Sequence, residues 1–362
     1  MPPESLPAFQ QALVAWFQSA QRNLPWRRAY DPYQVWISEI MLQQTQVKTV
    51  LPYYERWMRR LPDLQQLAEV EESELMKLWE GLGYYSRARN LKRAAQQVCA
   101  EHGGELPRNV AELKQLPGIG PYTAGAIASI AYNQDAPIVD GNVLRVLCRL
   151  EALDAPPDTP ALQKQLWQLA QEWIPSGQAR WFNQGLMELG ATVCLPRNPE
   201  CLLCPVRAHC QALAQGRVSE LPRPKARKAP TEVNKAVAVI RWGEALLIRQ
   251  RREPGLMQGL WELPTVECPQ NQPLPGLLEA WLHQELGTSA APGALLQQAT
   301  HRYTTFKATL HCFNVSLKPL PLPGHWTPVQ QSTVAQYAFP TVYRKLIIQF
   351  FKKLLEDDPF LK

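Results

Sequence analysis

Apolar side chains recur at helical spacing through more than half of this 362-residue chain. The stretches 6–19, 34–50, 64–80, 86–100, 110–116, 121–132, 141–150, 161–174 and 180–192 each carry them three or four positions apart. That spacing predicts helices with one buried face. Pro25, Pro62, Gly81, Gly103-Gly104, Pro117 and Pro156-Pro157 punctuate them, and no long strand is expected before about residue 215. The pattern then changes. Pro222-Arg-Pro-Lys-Ala-Arg-Lys-Ala-Pro230 holds three prolines, four basic residues and no acid. It predicts an extended spacer, with passage along a phosphate backbone as the functional alternative. Beyond it, Ala236-Val-Ala-Val-Ile240 and Ala245-Leu-Leu-Ile248, split by Trp242-Gly243-Glu244, read as strands. So do 295–300, 308–315 and 325–330, while helical spacing returns at 276–286 and 341–355. The expected architecture is an all-α N-terminal half over 1–216, a linker over 217–232 and a separate α+β domain over 233–362.

A chain of this length builds two domains or more, each with its own core. An apolar content of 46% with 12 Trp agrees. Residues 1–20 include Glu4 and no Lys or Arg, and space Leu6, Phe9, Leu13, Trp16 and Phe17 as an amphipathic helix does, unlike a signal peptide. No apolar run approaches the ~20 residues that span a bilayer, so the expectation is a cytoplasmic protein without membrane contact. No heptad or symmetric apolar surface is evident, which favours a monomer. The net charge of +6 permits phosphate neutralisation without demanding it.

Cysteine spacing is more informative. Cys194, Cys201, Cys204 and Cys210 fall within 17 residues as C-x6-C-x2-C-x5-C. Four thiolates in one short loop can wrap one compact metal centre, and four is the ligand count of a [4Fe–4S] cluster. Zinc is the rival, although its sites usually pair two C-x2-4-C knuckles across a longer gap. Disulfides fit a reducing compartment badly. Arg197 and Arg207 in the same loop suit phosphate contact. Cys99, Cys148, Cys268 and Cys312 read as ordinary scattered residues.

Leu116-Pro-Gly-Ile-Gly-Pro-Tyr-Thr-Ala124 joins two predicted helices. Gly118 and Gly120 permit a tight turn that presents free N–H groups at a helix start, an anion site. A hairpin over 113–132, then Asp140, then the cysteine loop of 190–212 together resemble the endonuclease III superfamily of base-excision DNA glycosylases. Within it, Val35-Trp-Ile-Ser-Glu-Ile-Met-Leu-Gln-Gln-Thr-Gln46, Gly81-Leu-Gly-Tyr-Tyr85 and Val139-Asp-Gly-Asn142 resemble the MutY-type adenine glycosylases.

Glu39 sits among apolar neighbours, which raises a carboxyl's pKa; on the residues alone it could equally be a solvated helix Glu or a partner of Arg27. Asp140 alone reads as a helix N-cap. The resemblance implies that Glu39 protonates a flipped-out adenine, Asp140 stabilises an oxocarbenium-like sugar, and Asn142 supports that carboxylate. Tyr122 occupies the hairpin position where bifunctional relatives carry a Schiff-base lysine. A phenol cannot form one, which implies a monofunctional hydrolase. By the same resemblance Gln44 and Tyr84, with Leu42 and Gln43 beside them, wedge around the base opposite the adenine. Arg27 and Gln184 contact the adenine. The implied partner is double-stranded DNA holding A:8-oxoguanine or A:G. A lyase for oxidised pyrimidines, or a non-catalytic cluster-bearing DNA binder, are the rival readings.

In the second domain, Gly255-Leu-Met-Gln-Gly-Leu-Trp-Glu-Leu-Pro264 and Ala280-Trp-Leu-His-Gln-Glu-Leu-Gly287 resemble a Nudix fold. Of the three acids of an active Nudix box only Glu285 survives, and one carboxylate cannot assemble a magnesium hydrolase site. The resemblance implies a domain that reads 8-oxoguanine without hydrolysis. The family's Phe-Ser-His lesion loop corresponds to Tyr303-Thr304-Thr305 here, which keeps an aromatic ring and a hydroxyl and lacks the imidazole.

Overall fold

The computed structural model describes residues 1–224, 229–269, 272–303 and 305–356, with side chains described up to 353. The linker positions 225–228 and the lesion-loop residue Thr304 fall outside them. Helices run α1 Leu6–Ala20, α2 Pro32–Leu42, α3 Val47–Arg60, α4 Leu64–Glu69, α5 Glu72–Trp79, α6 Ser86–Glu101, α7 Val110–Leu113, α8 Pro121–Ala126, α9 Gly141–Leu150, α10 Pro160–Glu172, α11 Ala179–Thr192 and α12 Gln211–Ala214. The seven strands are β1 Thr231–Trp242, β2 Ala245–Gln250, β3 Trp261–Glu262, β4 Thr265–Cys268, β5 Pro292–Tyr303, β6 Phe306–Val315 and β7 Trp326–Val329, with helices α13 Leu274–Leu286 and α14 Thr341–Glu356. Two expected helices are broken. The 34–50 stretch divides at 43–46, where Gln44 adopts φ +58°, and 64–80 divides between α4 and α5.

The chain forms two compact units, Met1–Val70 with Arg89–Ala226, and Glu71–Ala88 with Arg227–Lys362. In the first, α1, α9 and α11 pack around Phe9, Leu13, Val143, Leu147, Phe182 and Leu186, all fully buried. Close approach of these elements needs glycine. A Cβ on Gly125 would lie 2.1 Å from the Pro137 carbonyl oxygen, and one on Gly190 would lie 2.6 Å from Asn142 Cβ.

In the second unit the sheet order is β3-β2-β1-β6-β5, with β4 also on β1 and β7 also on β2. β1 runs parallel to β6 and antiparallel to β2 and β4. Its side chains alternate as a two-sided strand requires. Val237 and Val239 pack with Phe339, Leu346 and Ile347 around α14. Ala236, Ala238 and Ile240 pack with Leu278 and Leu282 of α13.

The segment 71–88, flanked on both sides by chain of the first unit, is tied into the second. The buried Glu80 accepts from Phe339 N (3.0 Å) and Arg344 Nη1 (3.2 Å), and Lys77 Nζ donates to the Tyr337 carbonyl (2.9 Å).

Candidate active site and cysteine centre

The side chains of α2 from Val35 to Met41 are all buried, and Glu39 among them is 4% exposed. Its Oε2 accepts a 2.5 Å hydrogen bond from the Tyr122 hydroxyl, carried on α8 immediately after the glycine hairpin. Burial pushes the Glu39 carboxyl up to about 7. Tyr122 and Arg27 pull it down and Asp140 pushes it further up. A carboxyl so placed still holds its proton near neutrality.

Asp140 caps α9. Its Oδ1 accepts from Asn142 N (2.9 Å) and Val143 N (2.7 Å), and its Oδ2 from Asn142 Nδ2 (3.0 Å). Burial raises its pKa while those three bonds favour the anion. The simple N-cap reading therefore holds, and the same bonds aim the carboxylate. Asn142 Oδ1 in turn accepts from Arg145 Nη2 (2.9 Å), whose Nε donates to the Cys194 carbonyl (2.7 Å).

One cavity of about 850 Å³ is lined by Arg27, Glu39, Leu42, Gln43, Gln44, Tyr122, Asp140, Asn142 and Gln184. Every expected site residue of 1–216 thus converges there except Tyr84, the hairpin glycines and the cysteines. Gln43 Nε2 donates to Thr123 Oγ1 at 3.4 Å, and the buried Gln184 donates to the Arg180 carbonyl. Among the lining residues that escaped the sequence reading are Glu188 and Arg22. Glu188, 1% exposed, accepts from Arg27 Nη2 (2.7 Å) and Arg22 Nε (2.6 Å). Burial alone would raise its pKa, but the two guanidiniums outweigh it and hold it below the usual range. The available signal was an acid set among Phe182, Leu186 and Leu189 on α11, a placement that demands a partner.

In the hairpin, Gly118 adopts φ +77° and a Cβ there would lie 2.6 Å from Asn90 Cβ. Gly120 is extended backbone with open space beside it, so only Gly118 requires glycine.

Cys194, Cys201, Cys204 and Cys210 line one small cavity with Arg149, Leu150 and Val206. Arg149, almost fully buried, donates from Nη1 to Cys194 Sγ (3.3 Å) and to the Leu195 carbonyl (2.7 Å). Burial, and then the neighbouring cysteines, push the Cys204 thiol up to about 11. Four cysteines on one cavity are the donor type of a metal centre, which binds them as thiolates. Among the described residues no three His, Cys, Asp or Glu side chains are placed to hold a single metal ion.

Within the second unit, a cavity of about 310 Å³ is lined by Gly81, Gly83, Tyr84, Leu256, Met257, His301 and Tyr303, among others. Tyr84 is 41% exposed with φ +48°. Arg87 lies over its ring (5.5 Å) and over Trp79 (5.2 Å), and donates to the carbonyls of Leu82 and Gly83. Glu285 contacts His325 Nε2 at 3.3 Å.

Residues 37–172 match the family model of the HhH-GPD superfamily of base excision DNA repair proteins, and residues 236–349 match the NUDIX domain. The chain is 38% identical to the adenine DNA glycosylase of Rattus norvegicus over 86% of its own length and 71% of that protein. It is 39% identical to that of Homo sapiens, over 86% and 67%. A solved thermostable thymine-DNA glycosylase superposes with a TM-score of 0.54 at 31% identity, covering 59% of this chain and 98% of that one. With a helical repair fold, a Nudix domain and relatives matched across both, the chain belongs to the adenine DNA glycosylase family.

Proposed function

We propose that this chain is a monofunctional DNA glycosylase of base excision repair that hydrolyses the N-glycosidic bond of adenine paired with 8-oxoguanine or guanine in duplex DNA. The observation that carries this reading is the buried Glu39 carboxyl, hydrogen-bonded by Tyr122 and sharing one cavity with Asp140. Adenine is a poor leaving group until a ring nitrogen is protonated. The adenine is flipped from the stack into the cavity, where Glu39 gives its proton to N7. The C1′–N9 bond then breaks with its electron pair leaving on adenine. The Asp140 carboxylate, whose charged form Asn142 and the Val143 amide favour, stabilises the sugar cation until water adds at C1′ and gives a proton back to Glu39. Tyr122 orients Glu39 and cannot attack C1′ as an amine would. Arg27, Gln184, Leu42, Gln43 and Gln44 position the flipped base and its neighbours. Gly118 and Gly120 bring the hairpin amides to phosphate.

Cys194, Cys201, Cys204 and Cys210 would hold a [4Fe–4S] cluster, which supplies structural support to a loop whose Arg197 and Arg207 suit phosphate. Residues 1–216 carry the chemistry, 217–232 the basic linker and 233–362 the lesion reading, to which Tyr84 and Tyr303 contribute aromatic rings; Thr304 would add a hydroxyl. The protein acts as a cytoplasmic monomer. Among the described residues, no helix is long and apolar enough to cross a membrane.

The test is incubation with duplexes holding one A:8-oxoguanine, A:G or thymine glycol:A pair, with and without alkali. Alkali-dependent nicking at adenine is expected. Nicking without alkali at thymine glycol would transfer the assignment to a pyrimidine lyase. Release of no base would leave a DNA-binding protein.

A further inference from the structure

We infer that His301 is the side chain that distinguishes 8-oxoguanine from guanine, taking the place of the imidazole absent at position 305. The inference rests on the lesion-reading role of the second domain proposed above.

β5 alternates, so His301 and Tyr303 share a face. Their rings stack at 5.5 Å, and Tyr303 stacks on Phe306 at 5.7 Å. Both His301 and Tyr303 line the cavity that also holds Tyr84 and Met257. Thr305 does not line it. It is exposed in the turn between β5 and β6, and its carbonyl is taken by Thr231 N at 2.7 Å. Among the described residues, a polar reader therefore comes from within the strand. Among the described lining residues, His301 and Tyr303 are half-buried and carry hydrogen-bonding groups, and the unprotonated imidazole nitrogen is a stronger acceptor than a phenol oxygen. Burial, with Lys345 nearby, lowers its pKa, which keeps the ring neutral.

The rings of Tyr84, Tyr85 and Tyr303 and the side chains of Leu256 and Met257 line this cavity, and aromatic and apolar side chains suit a purine. 8-Oxoguanine differs from guanine at one edge. Its N7 carries a hydrogen, and its C8 an oxygen that accepts. A neutral imidazole nitrogen accepts from that N7–H, whereas guanine offers an acceptor there. The backbone around the cavity is held in costly conformations, with Met257 at φ +66° and Tyr84 at φ +48°. Such strain persists where the surroundings over-determine it.

The experiment uses the full chain and measures single-turnover adenine excision opposite 8-oxoguanine and opposite guanine. For His301→Ala we expect the preference for 8-oxoguanine to fall about tenfold, the size of one lost hydrogen bond. Excision opposite guanine should change less than about twofold. His301→Asn, which keeps a hydrogen-bonding edge, should retain most of the preference, and Thr305→Ala all of it. Equal loss on both duplexes would mean a merely structural role and would overturn the proposal, as would an unchanged preference. A wild-type protein that excises adenine from A:G but shows no preference would overturn the lesion-reading role itself, and this inference with it.

Discussion

Glu39 is a residue whose surroundings oppose its charge. Above its folded pKa the native state must hold a carboxylate out of water, and the unfolded chain does not. The rise from an ordinary 4.5 to about 7 is worth on the order of 3 kcal/mol. The folded pKa is the higher one, so stability is greatest below pH 4.5 and is lost as pH climbs to about 7. Glu39→Gln removes that cost. We expect the variant to melt above wild type, by a margin that grows from pH 4.5 to 7 and then levels off; melting curves across that range check it. A margin independent of pH would show that the carboxyl is not desolvated. Val35-Trp-Ile-Ser-Glu-Ile-Met-Leu42 hinted at this, because an acid with apolar residues on both sides has few wet places to go, although those residues alone left a solvated or Arg27-paired carboxylate open. Asp140 was legible as an N-cap, and it caps α9 through the amides of Asn142 and Val143. Glu188 was not legible, because its partners Arg22 and Arg27 lie more than 160 positions away and only folding brings them together.

At the scale of elements, periodicity located nearly every helix and the longer strands. It failed where a break is made by backbone conformation rather than by Pro or Gly. The chain bends between α2 and α3 through Gln44 in the left-handed region. Without that bend 34–50 would continue as one helix and Gln44 would not line the cavity. β3 and β4 were too short to show alternation. The hairpin before α8 is the element on which Tyr122 depends, and Gly118 is its constraint. Gly118→Ala imposes φ +77° on a side chain and drives a Cβ into Asn90. We expect it to cost about 1–3 kcal/mol and to weaken binding to undamaged duplex. Gly120→Ala, with open space and extended backbone, should do much less. Denaturant titration and fluorescence anisotropy of both variants check this, and equal behaviour would show that the turn tolerates a side chain.

At the scale of the molecule, the change from helical to strand spacing near residue 230 announced the second domain. What the linear sequence hid is the membership of 71–88. Its apolar spacing continues that of the helical half, yet Glu80 turns its carboxylate to Phe339 N and Arg344, and Tyr85 turns its hydroxyl to the Phe339 carbonyl. Tyr84 is thereby mounted beside His301 and Tyr303. The assignment of the first unit rests on the proton of Glu39, and the pH dependence of single-turnover adenine excision reads that proton directly. We expect a rate that falls about tenfold per pH unit above pH 7, where the buried acid is lost. We expect Glu39→Gln to lower it by at least ~10²-fold and to abolish that limb. A wild-type rate that holds steady from pH 7 to 9, or a Gln variant as fast as wild type, would contradict it.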